Sequence, residues 1–430
     1  MNSMAILILL GSFFLLIFFG AHISYSMIAA SILTFLYLRL SPVQIISSLV
    51  DGVDGFTFLA IPFFILSGDI MSGGGISDRL IRLADACIGW MRGGLAMVNI
   101  LASVFFGGIS GSATADTASL GAILIPMMEK QGYDAEFSTA VTMTSSVQGM
   151  LIPPSHNMII YAMAAGGISV SALFMAGIVP GLLLAVALMV YSFYLSVKRN
   201  YPKGSPFSWK YLLKSLKESI WGLGTVLIVV FGVVTGCFTP TESAAIACLY
   251  AIFVSIFVYR EMKWKDLVPV CEKSLKVLST VLVLIAASGP FGFCITYLGI
   301  PQMVVKALLG LTSSKFLILL LVNLIILLLG MILGMASIII IVTPILMPVL
   351  ASIGYSPIQF GTVLILNCGI GLITPPVGGV LFIGSGLSGV PIERLARHTL
   401  PFLLVMVAVL VLITYIPGLS LALPHALGLM

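Results

Sequence analysis

At 430 residues, 60% apolar and only 8% charged, with a mean hydropathy of +1.20, the chain lies far outside the composition of a soluble globular domain. Its net charge of +5 sits mostly between apolar runs, without a basic arm or tail, so it speaks to orientation in a bilayer and excludes a nucleic-acid partner. The six cysteines show no CxxC spacing, the four histidines no HExxH, and no GxxxxGK[ST] is present, which argues against a disulfide framework, haem or structural metal, any other cofactor, and ATP-driven transport by this chain.

A spanning helix takes about 20 apolar residues, so the length holds on the order of a dozen membrane segments of an all-α polytopic protein. The first run, MAILILLGSFFLLIFFG, lacks the basic start and small-residue cleavage site of a signal peptide and reads as a retained helix. Runs at 4–20, 22–38, 56–72, 94–109, 171–197, 219–236, 241–259, 276–298, 316–333 and 399–417 are predicted to span. Asp69, near the end of one run, reads equally as the end of a span or as a buried polar contact. The segment 77–94 mixes Arg79, Arg82 and Arg92 with aliphatic residues and reads as an interfacial helix.

Segment 198–218 carries six basic residues against one acid, and 260–276 five against three, which predicts that both face the cytoplasm. The first separates two halves, 1–197 and 219–430. Its Trp209, Tyr211, Leu212 and Leu213 suit an amphipathic helix on the membrane surface, and an ordinary basic loop fits equally well. In FTPTESAAIA, Glu242 follows Pro240 and Thr241 at a helix start, where a carboxylate has the structural role of satisfying free N–H groups.

Four apolar segments, 110–128, 137–166, 335–350 and 358–389, are too rich in Gly, Ser, Thr and Pro for plain spans. Sliding the chain on itself by 222 residues aligns PMMEKQGYDAEFSTAVTMTSSVQGMLIPPSHNMIIYAMAAGG, from Pro126, with PVLASIGYSPIQFGTVLILNCGIGLITPPVGGVLFIGSGLSG, from Pro348. Gly132 and Tyr133 fall on Gly354 and Tyr355, Gly149 on Gly371, Pro153 and Pro154 on Pro375 and Pro376. A single Pro-Pro pair reads most simply as a packing kink. The repeated pair marks discontinuous helices, predicted over about 137–166 and 358–389, around a midplane site. Proline frees a carbonyl that hydrocarbon cannot satisfy, and such carbonyls with Ser and Thr hydroxyls form a neutral oxygen cage suited to Na⁺. The candidate oxygens are those of Ser145, Ser146 and Gly149 in the first half and of Asn367, Gly371 and Thr374 in the second.

A second unusual element precedes each Pro-Pro helix, at about 105–128 and 327–350. In the first, Gly107, Gly111 and Ala115 could form a packing face. Six hydroxyl or acid side chains (Ser110, Ser112, Thr114, Asp116, Thr117 and Ser119) fit better at a re-entrant hairpin tip lining a polar cavity. Asp116, the one ionisable group there, is a functional candidate or a helix cap. Ser155 beside His156 is the nearest approach to a nucleophile–base pair, but adjacent helical residues point about 100° apart, so no enzyme is predicted.

The combination SGSATADTASLGAILIPMM, LIPPS, FTPTESAAIA and NCGIGLITPPVGG closely resembles the large membrane (DctM-like) subunit of tripartite ATP-independent periplasmic (TRAP) transporters, over essentially the whole chain and in the family's order. The resemblance implies a bacterial inner-membrane protein with two inverted repeats, each with a re-entrant hairpin and a discontinuous helix. It also implies an elevator-type member of the ion-transporter superfamily, driven by a Na⁺ gradient. It implies two partners: a small four-helix membrane subunit, on a separate chain, and a periplasmic binding protein delivering an organic acid such as a C4-dicarboxylate, sialic acid or sugar acid. The sodium sites it implies involve Ser110 and Ser112 with Ser145, Ser146 and Pro153, and Gly334 with Gly371, Thr374 and Val377. The substrate would lie between the hairpin tips, near Thr114, Asp116, Asn157 and Ser337. Relatives often carry an acid where this chain has Gly334, which bears on the number of coupled ions. The alternative is a stand-alone cation/dicarboxylate symporter that needs no binding protein.

Overall fold

Long runs of Leu, Ile, Val and Ala, punctuated by Gly and Pro, set the helix boundaries in the computed structural model, which describes residues 3–55, 59–312 and 314–430. The first half comprises α1 (Ser3–Phe18), α2 (Ile23–Leu38), α3 (Pro42–Asp51), α4 (Ala60–Gly73), α5 (Ile76–Ile88), α6 (Gly94–Ser110), α7 (Ala113–Lys130), α8 (Ala135–Gly149), α9 (His156–Ala164) and α10 (Val170–Lys198). The second comprises α11 (Trp209–Val234), α12 (Pro240–Phe253), α13 (Leu267–Tyr297), α14 (Ile300–Leu311), α15 (Lys315–Gly330), α16 (Met335–Ser352), α17 (Pro357–Leu372), α18 (Gly379–Ser388), α19 (Ile392–Tyr415) and α20 (Pro417–Ala426).

Among the described residues six helices are long and apolar enough to cross a bilayer, and α4 with α5 forms a further pair bent by 71°. Large aliphatic side chains such as Leu36, Val190, Leu324 and Leu404 stay exposed, as a lipid-facing surface requires. The predicted span at 56–72 starts in residues 56–58, which lie outside the described residues; its helical part is α4.

Three sequence expectations are corrected. The runs at 94–109 and 316–333, predicted as plain spans, are the first arms of helical hairpins, α6–α7 and α15–α16. The hairpins therefore cover 94–130 and 315–352, not 105–128 and 327–350. A hydropathy window cannot tell an arm from a span. The distinction comes from length, since 17 and 16 residues make only about 24–26 Å of helix against a hydrocarbon core of about 30 Å. The bases of each hairpin lie together: Asn99 approaches Met128 Sδ at 3.7 Å, and Lys315 Nζ donates to the Gly354 carbonyl at 3.3 Å. Second, residues 209–218 do not form a separate surface helix. Capped by Ser208, and with no Gly or Pro before Gly222, they run unbroken into α11. Third, α13 begins at Leu267, nine residues before the span predicted from 276. The short α3, α14 and α20 were missed because none fills a spanning window.

Ion pairs and hydrogen bonds gather the charged segments onto one face: Arg79–Glu261 at 2.7 Å, Arg199–Asp134 at 2.7 Å, and Tyr211 Oη to Asp85 at 3.2 Å. At the α12 start, Thr239 and Glu242 form a capping box, Glu242 accepting from the Thr239 N–H at 2.8 Å.

The Pro-Pro helices form the centre. Every residue of 137–149 and 358–371 is buried. Their directions follow from α19: Arg394 in its first turn pairs with Glu136 at the start of α8, while the Thr414 carbonyl at its other end accepts from Tyr355 and Gln359 at the start of α17. The two helices thus run inward from opposite ends of α19. Their C-terminal portions meet midway, where a methyl group placed on Gly369 would lie 2.4 Å from Val147. Beyond the breaks, α9 continues toward the α17 start, Tyr161 Oη donating to the Pro357 carbonyl, and α18 toward the α8 start, where Gly384 packs on Met143 and Thr139.

Candidate functional site

Each hairpin tip is seated on the break of its own half. At the first, Gly111 adopts the left-handed conformation (φ 57°) that ends α6, and a methyl group there would lie 3.0 Å from Ser155 Cα. Asn157, at the start of α9, donates to the Gly111 carbonyl at 3.0 Å. At the second, the Val377 N–H donates to the Met331 carbonyl at 3.2 Å. Both breaks contain a cis bond, Pro153–Pro154 and Pro375–Pro376.

Behind each tip, hairpin and broken helix touch backbone to backbone. A methyl group on Gly107 would sit 2.2 Å from Gly149 Cα, and one on Gly371 would sit 2.5 Å from the Gly330 carbonyl carbon. Only glycine pairs allow this approach, as between small residues of packed membrane helices. The sequence repeat exposes Gly149 and Gly371. Of their partners, Gly107 was read as part of a possible packing face, whereas Gly330 escaped notice in an apolar run.

In the first half the hydroxyls are knitted across this contact. Ser145 accepts from Ser103 at 3.0 Å and donates to the Thr142 carbonyl at 3.0 Å. Ser146 accepts from Thr117 at 2.7 Å and donates to the Met143 carbonyl at 2.8 Å. Asn99, which sequence reasoning passed over, donates to Thr142 at 2.6 Å. Asp116 lies in the first turns of α7, and both its carboxyl oxygens are buried without a hydrogen bond among the described residues, the neighbouring Ser103 hydroxyl being turned to Ser145. A methyl group on Gly149 would lie 3.4 Å from Asp116 Oδ2. The Pro153 carbonyl faces Gly108, 3.0 Å from where a methyl group would stand. Ser110 ends α6, and Ser112 caps α7 with Thr114 at 2.9 Å from its hydroxyl.

The second half has the same backbone and other side chains. Asn367 donates to the Asn323 carbonyl at 2.8 Å, and its own Oδ1 is buried without a hydrogen-bond partner among the described residues. Thr374 Oγ1 donates to the Ile370 carbonyl at 2.6 Å. Gly334 caps α16 with open space where a side chain would begin, and the Val377 side chain is exposed. Ser337 is buried in the first turn of α16.

A cavity of about 460 Å³ opens beside the first tip. Ser110, Ser112, Thr114 and His156 line it on one side, and Asp69 of α4 and Lys273 of α13 on the other. It departs from the expected site between the two tips: of the four predicted substrate residues only Thr114 lines it, while Asp116 and Asn157 lie among buried residues and Ser337 belongs to the other hairpin. Asp69 proves to be a half-buried polar contact within α4, bonded to Lys273 Nζ at 2.7 Å and to the Ser274 hydroxyl at 2.7 Å. Lys273 was missed because it lies in the part of α13 before the span predicted from 276. Ser155 Oγ and His156 Nδ1 are buried without hydrogen-bond partners among the described residues, and they are not bonded to each other.

The family model for the DctM component of tripartite ATP-independent periplasmic transporters matches residues 10–419. The C4-dicarboxylate TRAP transporter large permease protein DctM of Pseudomonas aeruginosa is 39% identical over 381 residues, 89% of either chain. The isethionate TRAP transporter permease protein DctMQ of Oleidesulfovibrio alaskensis is 36% identical over 414 residues, 96% of this chain and 65% of that one. Among solved structures, the Alcanivorax borkumensis YdaH transporter superposes with a TM-score of 0.64 over 87% of this chain and 88% of its own, at 17% identity, a likeness of fold.

Proposed function

Because the chain belongs to the DctM component family of tripartite ATP-independent periplasmic transporters, we propose that it is a permease subunit importing a small organic anion by Na⁺-coupled secondary transport. In this reading the anion, a C4-dicarboxylate, sialic acid, sugar acid or related sulfonate, comes from a periplasmic binding protein, and a small four-helix membrane subunit completes the assembly. The family's own description, tripartite and periplasmic, supports both partners. The chain is not an enzyme but a multi-pass protein of the bacterial inner membrane.

The observation that carries the reading is the pairing of two broken helices, which run in from opposite ends of α19 and each take a hairpin tip on the break. This arrangement supports inverted repeats and an elevator-type movement of the central unit. Helix N-termini at the breaks, those of α7, α9, α16 and α18, favour an anion; the C-terminal ends of α8 and α17 offer carbonyl oxygen to a cation.

The residues present fit Na⁺. Buried acceptors without hydrogen-bond partners lie in both halves, Asp116 and Asn367 Oδ1, and no cluster of three or more His, Cys, Asp or Glu side chains exists among the described residues to hold a transition metal. Ser110, Ser112, Ser145, Ser146, Gly149 and Pro153 would hold one ion, and Gly334, Asn367, Gly371, Thr374 and Val377 another, while Thr114, which lines the cavity, would face the substrate.

The test is uptake of radiolabelled succinate, N-acetylneuraminate and isethionate into proteoliposomes holding this chain and its small subunit, under an inward Na⁺ gradient, with and without a binding protein. Uptake that requires the binding protein supports the tripartite reading. Uptake without it makes the chain a stand-alone symporter, and absence of uptake of any organic anion ends the proposal.

A further inference from the structure

The cavity beside the first hairpin tip is polar on the hairpin side and charged on the opposite wall, where Asp69 and Lys273 face it. This ion pair is asymmetric. Asp69 has only 13% of its side chain exposed and is held twice, by Lys273 Nζ at 2.7 Å and by the Ser274 hydroxyl at 2.7 Å. Lys273 has 66% of its side chain exposed, and Asp69 is its one ion-pair partner among the described residues. An ammonium on a four-carbon stem can swing by several ångströms, whereas the carboxylate cannot leave its pocket. If Lys273 turns away, Ser274 still satisfies one oxygen of Asp69, so the half-broken pair leaves no wholly unsolvated carboxylate.

From this geometry we infer that Lys273 is an anion-binding residue of the cavity, exchanging Asp69 for a carboxylate or sulfonate of the carried molecule. The ligand then sits between the Lys273 ammonium and the N-terminal turn of α7, where Ser112 and Thr114 present hydroxyls. Asp69 acts as an internal competitor: it holds the ammonium when the cavity carries no anion and sets how strongly an anion must bind to displace it. The cavity volume of about 460 Å³ lies within the range of small-molecule sites. This assignment rests on the organic-anion reading above and names the contact that reading left open.

The two partners make opposite predictions, which a merely structural salt bridge would not. With the reconstituted chain and small subunit, half-saturation is measured for whichever of labelled succinate, N-acetylneuraminate and isethionate the wild type takes up. Lys273→Gln should raise it about tenfold, the loss of one charge-assisted hydrogen bond, with Lys273→Arg restoring much of the affinity. Asp69→Asn should lower it by severalfold, since the competitor is gone while Ser274 keeps an acceptor. The double variant should behave as Lys273→Gln alone. Thermal unfolding of each variant in detergent separates loss of fold from loss of binding. If both single variants weaken uptake alike, or if Lys273→Gln leaves half-saturation unchanged while the wild type transports, the assignment falls and the transport reading stands. If the wild type takes up none of the probes, the organic-anion reading fails and takes this inference with it.

Discussion

The two halves build one backbone design with different chemistry. In the first, α8 carries seven buried Ser, Thr or Gln side chains, its hairpin contributes the unpartnered carboxylate of Asp116, and a charged cavity of about 460 Å³ adjoins the tip. In the second, α17 buries only Gln359, Thr362 and Asn367, and the space beside α16 is an apolar cavity of about 180 Å³ lined by Ile340, Ile341 and Pro344. Polar groups of the second half are tied outward instead: Gln359 and Tyr355 donate to the Thr414 carbonyl and Thr362 meets Ser420, which anchor α17 to α19 and α20. Gly and Pro positions that shape the backbone are therefore repeated, while the side chains that meet a ligand are free to diverge. One half is polar and charged beside its tip, and the other ties its polar groups to the surrounding helices.

The largest effect should come from breaking what the halves share. Gly107→Val and Gly371→Val drive a side chain into facing backbone at 2.2 and 2.5 Å, so each should cost about 3 kcal/mol and remove the monodisperse peak in size-exclusion chromatography. Asp116→Asn should next separate function from stability. Removing a buried carboxylate that lacks a partner should raise the unfolding temperature, while uptake falls at least about tenfold, a conflict typical of functional intramembrane acids. The tips should then differ. Gly111→Ala forces a left-handed residue against Ser155 and should cost about 1–2 kcal/mol, whereas Gly334→Ala enters open space and should cost under about 1 kcal/mol by thermal unfolding. In the second half, Asn323→Ala removes the Asn367 and Thr414 contacts of its side chain and should destabilise by about 1–2 kcal/mol. Smallest, Thr239→Ala should lose the α12 cap at about 1 kcal/mol, with uptake per folded molecule unchanged.

Much of this frame was legible in the sequence because it is written in Gly and Pro, whose backbone demands do not depend on neighbours. The match of Pro153–Pro154 with Pro375–Pro376 located both breaks. Hairpin arms were misread as spans because hydropathy reports a lipid-compatible surface and not how far a helix travels before it turns. The opposed directions of α8 and α17 were hidden for a related reason: an alignment carries no orientation, and the Glu136–Arg394 and Tyr355–Thr414 contacts lie at opposite ends of α19. Asp69 and Lys273, 204 residues apart, meet only through tertiary packing, so no local pattern could pair them. Asn99 and Asn323 were likewise invisible inside apolar runs, each serving a polar residue on another helix.

On this proposal, carriage of the anion is coupled to Na⁺ held at the two breaks. The most direct measurement is the Na⁺ dependence of uptake in the wild type, Ser146→Ala and Thr374→Ala, with membrane potential clamped and pH equal on both sides. The account predicts steep Na⁺ dependence in the wild type and a higher half-saturating Na⁺ concentration in both variants, with anion half-saturation restored at high Na⁺. Uptake that persists without Na⁺, or that a proton gradient drives equally well, would contradict it.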